Sequence, residues 1–399
     1  MLVFLLALLA RAAMGTYQMT RSAGPTALAF PDEQWYWYMA ASLRQGDGLT
    51  GEFGHRAGYM PLYPALLSLP AGSDCGLILA RVGQWLVGAA GAVAAMVLAT
   101  RIAGPTVGTV AGLLVGCDPG LVGTSSLLLT ETLFVTLVTA WWCVGWPLSD
   151  PLADSRRPRL LRWLAAAALA SACIYTRPDA LLLAGLWASL VAARRRFARP
   201  ALIGSLAFTA FVAASLLPWA ARNRRETGEW CLLTTRSGIS LYDGVRPGAT
   251  GASDLGAVKN APEVRDLSEH EWNRYFLAES WRAIRTEPWR VARLGLVKLA
   301  RTWSPFLHAD EYGSRTVRWA FATWSLVWYA MVAAGLVFRR RDIALCTGML
   351  LPAVMICCVH FFYVGSVRYR LGAVPTLAVL AAIGAVSLAG WMGRRRDVE

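Results

Sequence analysis

Charge is what this chain has least of. Only 16% of its 399 residues are charged, and acids are the scarcer sign, 25 against 39 lysines and arginines. A water-facing domain averages about 25% charged residues, so this composition excludes one or several soluble globules. Histidine is nearly missing, with four in all. The eight cysteines form neither a CxxC pair nor a Cys/His metal spacing. Only Cys75 and Cys231 lie clear of the apolar runs, which excludes a disulfide framework. Low-complexity tracts and repeats of 20–50 residues are also missing, which excludes solenoids and arrays.

What is abundant is apolar: 56% hydrophobic residues and 18 tryptophans, with a mean hydropathy of +0.43. Stretches long enough to cross about 30 Å of hydrocarbon lie at 1–19, 76–100, 104–122, 127–147, 200–219, 319–338, 343–363 and 371–392. Two shorter ones, 162–175 and 179–193, flank Thr176-Arg177-Pro178. One helix over 160–193 would rise about 50 Å, too long for a bilayer. A hairpin turning at Arg177-Pro178 is expected instead.

Ten spans from a cytoplasmic N-terminus put the basic runs on one side: Arg156 to Arg162, Arg194 to Arg199, Arg339 to Arg341, Arg394 to Arg396, and Arg101. That is the positive-inside pattern. It explains most of the basic excess without nucleic acid, which is not an expected partner. The expected fold is therefore an all-α polytopic membrane protein of about ten transmembrane helices, both termini cytoplasmic, with extracytoplasmic loop helices. Residues 1–219 form a transmembrane catalytic module that includes a first outer loop at 20–75. Residues 220–318 form an extracytoplasmic segment with interfacial helices, and 319–399 carry the last transmembrane helices. Residues 2–10 also have the length of a signal-peptide h-region, but no basic n-region precedes them and Arg11 interrupts the run. A start placed too late in the chain would leave the same gap.

Two patterns read as packing. Gly108, Gly112 and Gly116 share one helix face, where small residues let backbones approach. Trp289, Ala292, Leu296, Leu299 and Trp303 at 3-4-3-4 spacing, among arginines and Lys298, predict an amphipathic helix on a membrane surface.

Ionisable groups at membrane depth are costly unless paired or used, and five places hold them. Pro31-Asp32-Glu33-Gln34-Trp35-Tyr36-Trp37-Tyr38 follows the first span; it suits a helix start beside an aromatic belt as well as a catalytic site. Glu131 lies in an apolar span between Thr130 and Thr132. Arg177 sits at the hairpin tip, with Asp179 as a local partner. Arg222 follows Pro218-Trp219 at the exit of the seventh span, where snorkelling is the plainer reading. Arg368-Tyr369-Arg370 precedes the last span, and His55-Arg56 precede Pro61-Leu62-Tyr63-Pro64 in the first loop. All converge on one leaflet. Guanidinium forks suit phosphate oxygens, a carboxylate suits proton abstraction, and together they describe transfer from a lipid phosphate.

These residues, in this order along nearly the whole chain, resemble the GT-C superfamily of glycosyltransferases, of the protein O-mannosyltransferase and lipid A aminoarabinose transferase type. The resemblance implies inverting transfer of a sugar from an undecaprenyl- or other polyprenyl-phosphate carrier to an acceptor at the extracytoplasmic face of the plasma (inner) membrane. It implies Asp32 as catalytic base, with Glu33 second. Glu131, Arg177, Arg222, His55, Arg56, Tyr63, Arg368 and Arg370 then bind substrate. A divalent cation such as Mg or Mn between Asp32 and Glu131 is left open, because the basic and aromatic residues at 55–59 stand where some relatives have another acid. Expected partners are the polyprenyl-phosphate-linked sugar, an acceptor of unknown identity and membrane lipids. The alternative is a transporter or flippase of a phosphate-bearing lipid, which would place paired charges near the midplane of repeated halves.

Overall fold

The computed structural model describes every residue except 22, 23, 25, 29, 150–158, 260–263, 265, 266, 309–313 and 397–399. Arg156 and Arg157 of the second basic run thus lie outside the described residues. Among the described residues the chain is helical throughout, without strands.

The helices, in chain order, are α1 (Leu2–Arg21), α2 (Pro31–Gln45), α3 (Leu62–Ser68), α4 (Gly76–Ala103), α5 (Pro105–Gly116), α6 (Pro119–Ser125), α7 (Glu131–Ser149), α8 (Arg159–Thr176), α9 (Ala180–Arg194) and α10 (Arg199–Thr227). Then follow α11 (Ser237–Val245), α12 (Gly256–Lys259), α13 (Glu269–Thr286), α14 (Pro288–Thr302), α15 (Arg315–Phe338), α16 (Ile343–Phe362) and α17 (Val374–Arg396). Every apolar stretch read from the sequence is helical over most of its length. Among the described residues, six of them are long and apolar enough by themselves to cross a membrane: Leu2–Thr20, Gly76–Ala103, Arg199–Thr227, Arg315–Phe338, Ile343–Phe362 and Val367–Gly393. The stretch 160–193 is two helices joined by a short turn at Arg177-Pro178-Asp179, as the length argument required.

Two helices depart from the expected spans. The stretch 104–122 is broken, and α5 and α6 meet at 51°. Pro119 has no N–H to continue the helix, and the Asp118 carboxylate accepts the Leu121 N–H at 3.0 Å to start a new one. The next span starts at Glu131 rather than at 127, because Gln84 of α4 donates to the carbonyls of Thr124, Ser125 and Leu127 and holds that segment out of the helix. Glu131 therefore stands in the first turn of α7, where the helix dipole favours an anion.

Small residues and aromatics fill the bundle. Trp141, Trp163, Trp187 and Phe208 from α7, α8, α9 and α10 pack ring against ring. On α5, a Cβ at Gly112 would lie 2.8 Å from Met96 and one at Gly116 3.1 Å from Ala7, so the glycine face does admit close neighbours. Helices α15 and α17 also cross closely, and a Cβ at Gly384 would lie 2.1 Å from the Met331 carbonyl oxygen.

Two long inter-helix segments cover one end of the bundle and bind each other. Glu269 of α13 accepts the backbone N–H groups of Arg56 and Ala57, and Arg236 donates to Glu52 and to the Tyr59 hydroxyl. Helix α14 is amphipathic as expected, and the face that packs on the protein is not the Trp289–Leu296 face read as the one for the membrane surface. Val291, Leu294 and Lys298 are buried, while Trp289 is 86% and Leu296 64% exposed. The Lys298 ammonium donates to the carbonyls of Gly244 and Phe362, and burial lowers it to about 8. Membrane is the natural solvent for the face left open.

A Cβ at Gly335 would sit 2.0 Å from the Leu380 carbonyl oxygen. Gly335→Val should therefore lower the thermal midpoint in detergent, at a cost of about 1–3 kcal/mol or more. Gly390→Ala, with open space around it, should not lower it.

Candidate active site

Residues from four separate stretches meet at the covered end of the bundle. The first is α2, which opens at Pro31; Pro at the first position needs no hydrogen-bond partner. Glu33 reaches back to accept the Phe30 N–H at 3.1 Å and forward to accept the Leu128 N–H at 2.8 Å. That second bond ties α2 to the segment just before α7. It sets Asp32, one residue earlier, beside Glu131.

The third element is the tight turn Val367–Ala373, which carries Arg368. Its guanidinium spans both acids: Nη2 lies 3.0 Å from Asp32 Oδ2, and Nε lies 2.8 Å from Glu131 Oε1. The fourth element is the turn Arg177-Pro178-Asp179 between α8 and α9. From it Arg177 approaches the same Glu131 oxygen at 3.4 Å and its neighbour Asp179 at 3.3 Å. Tyr369 separates the two arginines, each guanidinium carbon standing 5.5 Å from its ring centroid. The ring is itself held by stacking on His360 at 4.2 Å.

Exposure sorts the two acids. Asp32 keeps 45% of its side-chain surface open, whereas Glu131 keeps 4%. Asp32 can meet an incoming molecule. Glu131 works on its neighbours, holding two guanidinium groups side by side. Tyr36, one helical turn after Asp32, packs edge-on against Tyr59 and Tyr63 and walls the site. Tyr63 donates to Gln84 at 2.6 Å and sits in this wall rather than among the charges. Outside the spans, burial pushes the Tyr59 hydroxyl up to about 12 and lowers His55 below the ordinary histidine value.

Five other residues singled out from sequence lie elsewhere. Glu33 is fully buried with both oxygens on backbone N–H groups, so it positions Asp32 and offers no face to a reactant. Arg222 donates to the carbonyls of Arg56 and Leu49 and packs on Trp219. It fastens the first covering segment to α10 and touches neither acid. His55 and Arg56 join the two covering segments, His55 through its ring on Trp272 at 4.8 Å and Arg56 through Glu269. Arg370 faces away from Arg368, donating to Ser304, Ser325 and Tyr329. A buried arginine and an exposed one look alike in sequence. Only the partner decides.

A divalent cation does not fit these residues well. Asp32 and Glu131 both face the one guanidinium of Arg368, and among the described residues no three His, Cys, Asp or Glu side chains converge.

No protein-family model matches the chain, and no curated protein matches it by sequence. Solved structures do match in fold. The Archaeoglobus fulgidus oligosaccharyltransferase tethered to an acceptor peptide with an NVT sequon superposes at a TM-score of 0.56 and 12% identity, covering 100% of this chain and 50% of that one. Its apo form superposes at 0.54 and 12% identity, covering 99% and 51%. ArnT from Cupriavidus metallidurans bound to undecaprenyl phosphate covers 94% of this chain and 77% of its own at 15% identity, with a TM-score of 0.43 that is too loose to build on. The chain spans about half the length of the archaeal structures that it matches.

Arg368 is the shared counter-ion of the site. Arg368→Gln should cost about 3 kcal/mol, the lower part of the range for stranding a buried charge, since the pair is partly open. Adding Glu131→Gln should recover part of that loss. A double-mutant cycle on unfolding in detergent measures the coupling.

Proposed function

We propose, for a chain with the GT-C membrane glycosyltransferase fold, that it moves a sugar with inversion from a polyprenyl-phosphate carrier to an acceptor. The observation that carries this reading is the convergence of an open carboxylate, Asp32, with two guanidinium groups, Arg368 and Arg177, around the buried Glu131. Asp32 is the base. It takes the proton from an acceptor hydroxyl or amine as that atom bonds to the anomeric carbon. The bond from the anomeric carbon to the phosphate oxygen breaks, and its electron pair leaves on the phosphate. Arg177 and Arg368 bind that growing negative charge. Of the arginines read from sequence as substrate-binding, Arg177 and Arg368 thus take the donor phosphate, and Arg222 instead steadies the first covering segment.

In this reading the chain crosses the plasma (inner) membrane about ten times, with both termini cytoplasmic. The covered end of the bundle, with the first loop at 20–75 and the segment at 220–318, faces the extracytoplasmic side. The carrier's phosphate enters from the bilayer and the acceptor from water, under α11 to α14. The sugar is a hexose or a pentose. His55, Arg56 and Tyr63 shape the acceptor side without touching the reacting atoms.

Purified protein incubated with a panel of polyprenyl-phosphate sugars, with lipid turnover read by mass spectrometry, tests the reading. Release of the lipid phosphate supports it; lipid flux into liposomes without chemical change would favour the transporter. Asp32→Asn should lower turnover by about 100- to 10,000-fold while the protein stays folded in the membrane. Arg177→Ala should lower kcat/KM about 100-fold or more through a poorly stabilised leaving group. Unchanged kinetics in either variant removes that residue from the mechanism.

A further inference from the structure

Lys298 is a buried cation that the transfer chemistry does not use. It lies on α14, in the second covering segment, and is fully buried. Its ammonium donates to the Gly244 carbonyl at 3.1 Å and to the Phe362 carbonyl at 2.7 Å. Gly244 stands on α11, and Phe362 is the last residue of α16. One charged group thus joins two helices of the covering segment to the end of a bundle helix. Taking an ammonium out of water is costly, and the partners that offset the cost here are backbone carbonyls. Their positions are therefore tightly set.

Phe362 leads through a four-residue connection, 363–366, to the tight turn that carries Arg368. The connection is fastened again along its length. The Val364 carbonyl accepts from His360 Nδ1 at 2.7 Å. That same ring stacks on Tyr369, which stands between Arg177 and Arg368. The Gly365 N–H donates to the Gly251 carbonyl at 2.9 Å. Gly365 also lies directly against α14, where a Cβ would overlap the Lys298 carbonyl oxygen. Ser366 then caps the turn, its Oγ accepting the Arg368 N–H at 3.4 Å and its carbonyl the Tyr369 N–H at 3.0 Å. Lys298 and Gly251 both belong to the covering segment. Much of what places this connection therefore comes from outside the bundle.

We infer that Lys298 is a positioning residue for Arg368. By holding the Phe362 carbonyl, with its own backbone against Gly365, it makes the docking of the second covering segment set the place of the guanidinium that faces Asp32 and Glu131. The inference rests on the proposed role of Arg368 toward the donor phosphate. Lys298 itself contacts neither acid. Its effect is geometric, and a misplacement of about 1 Å caused far from the chemistry can cost about 100-fold in rate.

The test is the coupling between Arg368 and Glu131, from the unfolding cycle of Arg368→Gln and Glu131→Gln on the purified full chain in detergent. It is measured in the wild-type background and again with Lys298→Met, which keeps the length and loses the donors. The coupling should fall by about half or more with Lys298→Met. It should stay as in wild type with Gly238→Ala, which crowds the Asn273 carbonyl elsewhere in the covering segment. Unchanged coupling with Lys298→Met, or an equal fall with both, overturns the inference. If Lys298→Met does not fold, Gly365→Ala forces the same contact apart and decides by the same criterion. Undecaprenyl phosphate is the probe of the donor side. Lys298→Met should weaken its binding about tenfold and add nothing in an Arg368→Gln background, whereas additive losses overturn the positioning role. No binding by the wild type would remove the donor reading, and the coupling would still decide the part played by Lys298.

Discussion

Two carboxylates sharing one guanidinium is the constraint around which the covered end of this bundle is organised. Arg368 faces Asp32 and Glu131 at once, and Arg177 takes the remaining approach to Glu131. Removing water from any one of these groups is expensive, and the attraction between them offsets that only while all four stay within a few ångströms. They come from stretches as far apart as residues 32 and 368. The ion-pair cluster therefore demands that the helices bearing it be held in register, and much of the surrounding structure meets that demand. Glu33 ties α2 to the entry of α7. The ring of Tyr369 spaces the arginines and rests on His360.

A cluster arranged this way has an excess of hydrogen-bond donors at its open side. The acids are matched to guanidinium groups, so a third anion entering beside Arg177 and Arg368 meets N–H groups already aimed and already desolvated. Preorganised donors of this kind act on charge as it develops, without the reorganisation that water would need. Under the proposed function, Asp32, the more open of the two acids, would lose a counter-ion as Arg368 turned toward the donor phosphate, so that donor arrival and base activation would be one electrostatic event. The covering segments are bound to each other through Glu269 and Arg236.

The membrane context decides which other charges are tolerable. Arg222 and Arg370 spend their donors on carbonyls and hydroxyls, and each thereby locks one element to another. Lys298 does the same beneath α14, with Gly244 and Phe362 as its acceptors. The cations that hold backbone carbonyls are structural staples here, whereas Arg177 and Arg368 share the buried Glu131 of the candidate site. Sequence writes both with the same letters.

The helical class, the position of the apolar helices, the turn at Arg177-Pro178 and the choice of Asp32, Glu131, Arg177 and Arg368 as candidates were all legible without coordinates. These rest on local physics: apolar length against bilayer thickness, proline's missing N–H, and the cost of a charge at membrane depth. The break at Asp118-Pro119, the late start of α7, the burial of Glu33 and Lys298, and the diversion of Arg222 and Arg370 to carbonyls were not. Each depends on which partner a side chain finds across the fold. A chain's own pattern says that a buried charge must be satisfied, and only packing chooses what satisfies it.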